Sequence, residues 1–249
     1  MAKYDFDAPR LFLDAPLRLG ARVALDRAQA NYLLNVLRLR EGGSVLVFNG
    51  RDGEWRAEVA PDGRKSADLV TTEQTRPQEA GPDVVYAFAP LKHARLDYMV
   101  QKAVEMGASR LQPVITRRTQ AQRVNLERMR ANAIEAAEQC GILALPEIAA
   151  EAPMERVLAE LEPDRDLVFC DEEAPVGDPV RALRQGSRNP AAKVAVIVGP
   201  EGGFTDEERA LALRHPRVVR VSLGPRILRA DTAAVAVLAL VQTALGDWR

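Results

Sequence analysis

The sequence predicts an α/β fold with a mostly parallel sheet, preceded by a small β-rich domain. From Val84 onward, short apolar runs alternate with helical patterns, which is typical of strands joined through helices. Before about Thr75, several short strand patterns are separated by tight turns, which indicates a small barrel. Near the carboxyl terminus, two apolar runs end in glycine-containing loops, and each loop leads into a helix.

The amino-terminal region contains strand patterns at residues 10–13, 44–48, 54–59 and 66–72. The segment NGRDG at 49–53 is a strong hairpin-turn signal, and PDG at 61–63 predicts another turn. Asp26 is expected to cap a short helix that ends at Leu37, because apolar residues recur there at helical spacing.

A polar stretch without periodicity, EQTRPQEAGP at 73–82, follows this region. We therefore predict a first domain at residues 1–74, a linker at 75–82 and a second domain at 83–249. In the second domain, the predicted strands lie at 84–89, 111–115, 166–170, 194–198 and 218–223. The predicted helices lie at 96–106, where Gly107 ends the helix, at 125–140, and after each carboxyl-terminal loop.

The two carboxyl-terminal loops, at 199–203 and 223–228, predict a ligand site. Ligands of open parallel sheets lie outside the carboxyl ends of the strands, where backbone N–H groups and helix N-termini gather. After the first loop, Thr205 and Glu208 form the capping-box pattern of a helix start. After the second, Asp231 or Thr232 is expected to cap the final helix. Two ordinary strand-to-helix turns are the alternative interpretation.

Composition argues against several classes of protein. With 249 residues, of which 47% are hydrophobic and 28% charged, the chain is expected to bury a sizeable core. No apolar run has the length and flanks of a membrane span and no signal-peptide pattern is present, so we expect a soluble cytoplasmic protein. Two cysteines and two histidines argue against a disulfide framework and a metal site. The first loop lacks the lysine of a Walker loop and the spacing GxGxxG, which argues against ATP and NAD.

Clustered basic residues are candidates for contacts with a phosphate backbone, since a net charge of −1 requires local patches for any polyanion. Lys92 follows the first strand of the second domain, and Arg117 and Arg118 follow the next. Arg38 and Arg40 in the first domain are expected to extend a basic track across the linker. The alternative is that these side chains belong to ordinary solvated surfaces.

The final helix, which ends near Leu245, is apolar on every side. Such a helix does not remain exposed to water, so it either lies in the core or forms half of a subunit interface. Both interpretations hold together if the helix lies at a dimer seam.

Several segments of the chain resemble, in order, the signature segments of one family. The two strongest are GPEGGFTDEE at 199–208 and LGPRILRADTAA at 223–234. They are accompanied by RLFL at 10–13, YLLNVLRLREG at 32–42, QKAVEMG at 101–107 and AAEQCG at 136–141. The chain thus resembles, over nearly its whole length, the RsmE family of the SPOUT superfamily, which are 16S rRNA (uracil-N3)-methyltransferases.

The resemblance implies a fold and an activity. The second domain is expected to be a SPOUT α/β domain with a deep trefoil knot, an exception to the rule of unknotted chains. The first domain is expected to be a PUA-like β-barrel that helps to bind RNA. The expected partners are S-adenosylmethionine in the knot loops, a second copy of the chain in a homodimer with the site at its interface, and the 16S rRNA of the 30S subunit. The expected product is 3-methyluridine in the decoding region, and no metal is required.

Besides the catalytic residues assigned below, the site residues that we expect fall into two sets. The expected cofactor-binding residues are Gly199, Pro200, Glu201, Gly202, Gly203, Leu223, Gly224, Pro225, Arg226, Ile227, Leu228 and Thr232. The expected RNA-binding residues are Arg10, Arg38, Arg40, Lys92, Arg117 and Arg118. Three positions depart from the family pattern: Asp231 replaces a glutamate, Ile142 replaces a common arginine, and Asn31 or a neighbour replaces a common histidine.

The resemblance also suggests a mechanism. Methyl transfer to N3 of uracil requires loss of the N3 proton, because the neutral base is a poor nucleophile at that atom. In-line positioning of the reactants and a cation near O2 or O4 of the base supply the acceleration. We assign the cation to Arg229, and we expect Asp231 to act as a base or to orient Arg229. The target base is expected to leave its stack to reach the pocket.

Two other functions stay open at the level of the sequence. One is a SPOUT methyltransferase that acts on tRNA or on 23S rRNA. The other is a non-catalytic RNA-binding protein that uses a PUA-like module. A nucleotide-binding oxidoreductase is disfavoured, because the glycine spacing is wrong for a dinucleotide.

Overall fold

A computed structural model of the protein describes residues 5, 8–61, 66–121, 123–175, 177–187 and 193–248. The chain divides into two compact units. One comprises Met1–Ala80 with Ala137–Ala144, and the other comprises Gly81–Ala136 with Leu145–Arg249. Most of the turn predicted at 61–63 lies outside the described residues.

The first unit contains a five-stranded curled sheet. Its strands are β1 (Arg10–Phe12), β2 (Arg22–Ala24), β3 (Ser44–Phe48), β4 (Glu54–Pro61) and β5 (Ala67–Arg76). The strand order is β1-β3-β4-β5-β2, in which β1 runs parallel to β3 and the other neighbours are antiparallel. The four predicted strands are confirmed, and β5 continues into the polar segment after residue 72. The short strand β2 was not predicted, because three residues give no periodicity.

One short helix covers this sheet. Helix α1 (Arg27–Asn31) begins after Asp26, whose carboxylate accepts a hydrogen bond from the Gln29 backbone N–H at 2.8 Å, so the predicted cap is confirmed. The chain then continues as a π-helical turn, Tyr32–Val36. This turn places Leu33 in the core, where its side chain is fully buried.

A buried ion cluster joins three strands of the sheet. Glu54 is 3% exposed, and its carboxylate accepts hydrogen bonds from Arg10 at 3.0 Å, from Arg76 at 3.1 Å and from Thr75 at 2.8 Å. The Arg10 side chain is itself only 5% exposed. Arg10, which the sequence suggested as an RNA ligand, therefore has a structural role inside the first unit.

Residues 137–141 of the segment AAEQCG also belong to this unit. The Glu138 carboxylate accepts a hydrogen bond from the Phe12 backbone N–H at 2.8 Å, and Arg76 donates to the Gly141 carbonyl at 2.8 Å. These bonds attach the segment to β1 and β5. The segment therefore has a structural role in the first unit, which the sequence pattern did not reveal.

The second unit contains an all-parallel sheet. Its strands are β6 (Val84–Phe88), β7 (Arg110–Ile115), β8 (Glu147–Ile148), β9 (Ala152–Pro153), β10 (Asp166–Cys170), β11 (Val194–Val198) and β12 (Val218–Val221). The strand order is β12-β10-β11-β6-β7-β8, and β9 pairs with β7. The accompanying helices are α2 (His93–Glu105), α3 (Leu126–Cys140), α4 (Met154–Glu160), α5 (Pro179–Gly186), α6 (Asp206–Leu213) and α7 (Ala230–Ala244).

The core of this unit explains its sequence pattern. Every residue of β6, β10 and β11 is buried, because helices cover both faces of a parallel sheet. These strands therefore appear in the sequence as continuous apolar runs, and the predicted α/β fold is confirmed. The short elements β8, β9, α4 and α5 were not predicted. The trefoil knot stays a prediction.

Helix α7 is buried along one face only. Val237, Leu238 and Val241 are fully buried, and Gln242 in the same face donates a hydrogen bond to the Met106 carbonyl at 2.7 Å. The opposite face carries the half-buried apolar side chains Val235, Ala236, Ala239 and Leu240. No helix among the described residues is both long and apolar enough to cross a membrane.

The ion cluster predicts a large effect of one substitution on stability. We expect Glu54→Ala to lower the free energy of unfolding by about 3–5 kcal/mol, because it leaves Arg10 buried without its carboxylate. Glu58→Ala is the matched control, since Glu58 lies on the same strand and is exposed, and we expect a change within about 0.5 kcal/mol. Urea unfolding of both variants measures the difference. Equal stability of the two variants would contradict this account.

Candidate active site

The candidate site is a cavity of about 380 Å³ in the second unit, at the carboxyl ends of β10, β11 and β12. Its lining consists of residues 170–172, 198–203 and 222–228, with Ala230 and Ala233 of α7. Both glycine loops singled out in the sequence thus open onto one space. Of the expected cofactor-binding residues, the cavity brings together all except Thr232, which is exposed and lies outside the lining.

The first loop is fixed by the helix that follows it. The Thr205 hydroxyl accepts from the Glu208 backbone N–H at 3.3 Å, and the Glu208 carboxylate accepts from the Thr205 N–H at 2.9 Å, so the predicted capping box is confirmed. Glu208 is buried and also accepts a hydrogen bond from the Arg117 backbone N–H at 2.7 Å. This bond joins the loop after β7 to the start of α6.

Close contacts explain two glycines of the first loop. A β-carbon on Gly199 would lie 2.7 Å from the ring of Phe204, which is buried beneath the loop. A β-carbon on Gly203 would lie 2.2 Å from the carboxylate of Glu172, and Gly203 also has φ of +70°. Gly199 is therefore favoured by the contact with the Phe204 ring, and Gly203 is favoured by its positive φ.

The second loop presents its side chains to solvent. Arg226 and Arg229 are exposed, and Ile227 is 99% exposed. Gly224 adopts φ of +102°, which favours glycine. Arg229 is the N-cap residue of α7, so its backbone lies at the edge of the cavity lining while its side chain extends into solvent.

Arg95 of α2 links the first loop to α7. Its guanidinium donates to Asp231 at 3.0 and 3.3 Å and forms an ion pair with Glu201. The hydrogen bonds from Arg95 hold the pKa of the Asp231 carboxyl below its usual value. The same bonds, to Asp231 first and then to Glu201, raise the pKa of Arg95. One side chain therefore connects the two segments that follow β11 and β12.

The predicted cap of α7 by Asp231 or Thr232 is wrong. The helix begins at Ala230, and its N-cap residue is Arg229, which makes no side-chain capping bond. Asp231 lies within the first turn, where its carboxylate accepts from the Thr232 N–H at 2.9 Å and from Arg95. The carboxylate is engaged by a cation from another helix, so the cap is not formed. Among the described residues, no hydrogen bond joins Asp231 to Arg229.

A buried carboxylate supports the floor of the cavity. Both oxygens of Asp171, which follows β10, are engaged: one accepts from Arg209 at 3.2 Å and the other from Arg220 at 2.6 Å. The neighbouring Cys170 also lines the cavity, and burial raises the pKa of its thiol to about 12. At neutral pH the thiol is therefore protonated and a poor nucleophile.

The remaining basic candidates lie on the surface of their own units. Arg38, Arg40, Lys92, Arg117 and Arg118 are exposed. Arg118 also donates a hydrogen bond to the Gly202 carbonyl of the first loop, so this arginine borders the cavity.

Three functional candidates escaped the sequence reasoning: Arg95, Asp171 and Glu172. Asp171 and Glu172 directly follow a buried strand. This position at the carboxyl end of a strand could have identified them as candidates from the sequence. Arg95 gave no such signal, because its partners lie more than 100 residues away in the chain.

Comparison with known proteins gives the family of the chain. A family described as the RNA methyltransferase domain matches residues 78–242, and one described as the RNA methyltransferase PUA domain matches residues 25–72. The chain is 30% identical over 234 residues to ribosomal RNA small subunit methyltransferase E of Rickettsia conorii, and the match covers 94% of each chain.

Two solved structures are similar over almost the whole chain. One is a ribosomal RNA small subunit methyltransferase E from Neisseria gonorrhoeae bound to S-adenosyl methionine, with a TM-score of 0.84 and 29% identity over 97% of this chain and 100% of that one. The other is a putative methyltransferase from Legionella pneumophila in complex with the cofactor SAM, with a TM-score of 0.82 and 27% identity over 95% and 98%.

The Arg95 link predicts non-additive substitutions. We expect Arg95→Ala and Asp231→Asn each to lower stability, and the double variant to lose less than the sum, because each single change already breaks the ion pair. Thermal unfolding of the three variants and the wild type measures the coupling.

The pH dependence of stability gives a second measurement of the same link. A carboxyl whose pKa is lowered by folding adds stability that is fully present above the pKa of the unfolded chain, about 3.9 for aspartate. That stability is lost as the pH falls through the lower folded value. The advantage of the wild type over Asp231→Asn should therefore stay constant from pH 7 to about 5 and shrink below about 4. An advantage that disappears near neutral pH would contradict the assignment.

Proposed function

The chain belongs to the RNA methyltransferase family, and on this premise we propose that it is an S-adenosylmethionine-dependent methyltransferase that forms 3-methyluridine in 16S ribosomal RNA. The observation that carries the proposal is the single cavity formed by the two signature loops. The similarity to a small-subunit rRNA methyltransferase and to two structures that contain S-adenosylmethionine supports it.

The residues of the cavity fit this cofactor. A volume of about 380 Å³ falls in the range of small-molecule sites, roughly 300–1,000 Å³. The lining combines apolar side chains such as Val198, Leu223 and Leu228 with the backbone of glycine-containing loops, which a ligand approaches closely. When bound, S-adenosylmethionine supplies the methyl group.

We assign different roles to Arg229 and Asp231. Arg229 is exposed at the start of α7, where its guanidinium is free to approach O2 or O4 of the uracil and stabilise the anionic base. Asp231 is a poor proton acceptor, because Arg95 lowers its pKa. Its proposed role is to hold the first turn of α7 against Arg95, which positions Arg229 through the backbone.

RNA binding is proposed for both parts of the chain. We propose an RNA-binding domain at residues 1–74 and a methyltransferase domain at 83–249, which the PUA-domain match at 25–72 supports. Of the linker expected at 75–82, Thr75 and Arg76 lie in β5. The exposed arginines and lysine at 38, 40, 92, 117 and 118 are the proposed phosphate contacts. Arg10 is omitted from this set, because it is buried against Glu54.

A homodimer is also part of the proposal. The outer face of α7 exposes part of Val235, Ala236, Ala239 and Leu240, and Ile227 is 99% exposed beside the cavity. An apolar strip of this kind is typical of a surface that is covered in the assembly. A measurement of the molecular mass of the protein in solution tests the proposed homodimer.

A 16S rRNA substrate also implies a cytoplasmic location.

The substrate is tested by methyl transfer to undermodified 30S subunits. We expect 30S particles from a strain that lacks the enzyme to accept labelled methyl groups, and nucleoside mapping to find 3-methyluridine in 16S rRNA. Fully modified 30S particles are the control and should accept none. Methylation of tRNA or 23S rRNA instead would favour the first alternative function. No binding of S-adenosylmethionine would favour a non-catalytic RNA-binding module.

The two roles at the start of α7 predict different kinetics. We expect Arg229→Ala to lower kcat by roughly 100- to 1,000-fold with little change in cofactor affinity, which is typical of a lost electrostatic contact in the transition state. Arg214→Ala, which removes an exposed arginine at the end of α6, should leave kcat unchanged.

The rate of the wild type should rise with pH as the uracil loses its N3 proton. Asp231→Asn should show the same rise at a lower rate, because Asp231 does not accept that proton. If the wild-type rate were independent of pH and only Asp231→Asn showed the rise, Asp231 would be the base and the assignment would be wrong.

A further inference from the structure

Three acidic side chains line the cavity: Asp171, Glu172 and Glu201. Two of these carboxylates accept hydrogen bonds from arginine side chains. Asp171 is buried and uses both oxygens on Arg209 and Arg220, and Glu201 pairs with the guanidinium of Arg95. Asp171 therefore has no oxygen left for a ligand, and Glu201 is held toward Arg95 through one of its two oxygens.

Glu172 differs from the other two. Its side chain is 55% exposed, and the Arg209 Nη2 atom lies 3.6 Å from its Oε1, which is longer than a good hydrogen bond. The neighbouring Glu173 makes a shorter contact of 3.1 Å with the same arginine and does not line the cavity. Glu172 therefore brings a carboxylate with unused acceptor capacity into the cavity.

This carboxylate lies beside the backbone of the first loop. Its Oε1 atom occupies the space that a β-carbon of Gly203 would need, at 2.2 Å. Glu172 thus lies over the backbone of the loop, two residues after the end of β10. A ligand in the cavity that reaches the loop at Gly203 also reaches this carboxylate.

The chemistry of the ligand, which rests on the proposed function, decides what Glu172 binds. The ribose of S-adenosylmethionine offers two neighbouring hydroxyl donors, and an ionised carboxylate offers two acceptor oxygens and no donor. Acidic side chains at strand ends recognise ribose hydroxyls in this way in dinucleotide-binding sheets. The α-ammonium is a less suitable partner, because the adjoining α-carboxylate of the ligand would be repelled by Glu172.

We propose that Glu172 accepts hydrogen bonds from the ribose hydroxyls of S-adenosylmethionine and selects for a ribonucleoside in this cavity. Glu172 then contributes to cofactor affinity rather than to the chemical step. Its substitution should raise KM for the cofactor and leave kcat at saturation nearly unchanged.

Calorimetry of the full chain with S-adenosylhomocysteine tests the proposal. We expect Glu172→Gln to bind about ten-fold or more weakly, because one bond to a charged acceptor is lost. Glu173→Gln is the matched control, since it removes the same charge one residue away and outside the cavity, and it should bind like the wild type. Thermal unfolding should show that all three proteins are folded, as expected for a side chain that is more than half exposed.

Analogues of the ligand identify the group that Glu172 contacts. The 2′-deoxy and 3′-deoxy forms of S-adenosylhomocysteine should bind the wild type more weakly, and Glu172→Gln should lose little more with the analogue that lacks the contacted hydroxyl. A full additional loss with both analogues would overturn the ribose assignment, and so would normal affinity of Glu172→Gln. A wild-type chain that binds neither S-adenosylmethionine nor S-adenosylhomocysteine would instead overturn the proposed function itself.

Discussion

When strands are buried on both faces, only the ends of those strands can present polar groups to a ligand. Every residue of β6, β10 and β11 is buried, so no side chain in the middle of these strands can face a ligand in water. The strands run parallel, and their carboxyl ends therefore meet at one edge. The cavity, its glycine loops and its acidic lining all follow from this constraint.

The loops at that edge are held by cations from elsewhere in the chain. Arg95 from α2 joins Glu201 to Asp231, and Arg209 from α6 supports Asp171 beneath the cavity. Three of the five residues of the first loop are glycines, which have little conformational preference of their own. The ion pair between Arg95 and Glu201 therefore adds to the local capping box in positioning the first loop.

The difference between local contacts and contacts between distant parts of the chain explains what the sequence can predict. Strands β3, β10 and β11 were predicted with their observed ends, because full burial gives continuous apolar runs and glycine or polar residues end them. The capping box at Thr205 was predicted because both partners lie within one turn. The cap at Asp231 failed because a competing partner, Arg95, lies 136 residues away.

The same limit applies to basic residues. Arg10 and Arg38 are both arginines followed by leucine in the sequence. The side chain of Arg10 is nevertheless buried against Glu54, whereas that of Arg38 is exposed. The partner of Arg10 is 44 residues distant, so no local pattern distinguishes a structural arginine from one that contacts phosphate.

The placement of charge around the cavity fits a reaction between a cationic cofactor and an anionic RNA. The acidic side chains lie in the lining, where Glu172 keeps unused acceptor capacity. The exposed arginines Arg118, Arg226 and Arg229 lie along the two loops that border the cavity. In the proposed reaction, Glu172 attracts the cationic cofactor, and the exposed arginines of the second loop attract the phosphate backbone of the RNA. In the same proposed reaction, the uracil, which becomes anionic when it loses its N3 proton, meets the methyl donor next to Arg229.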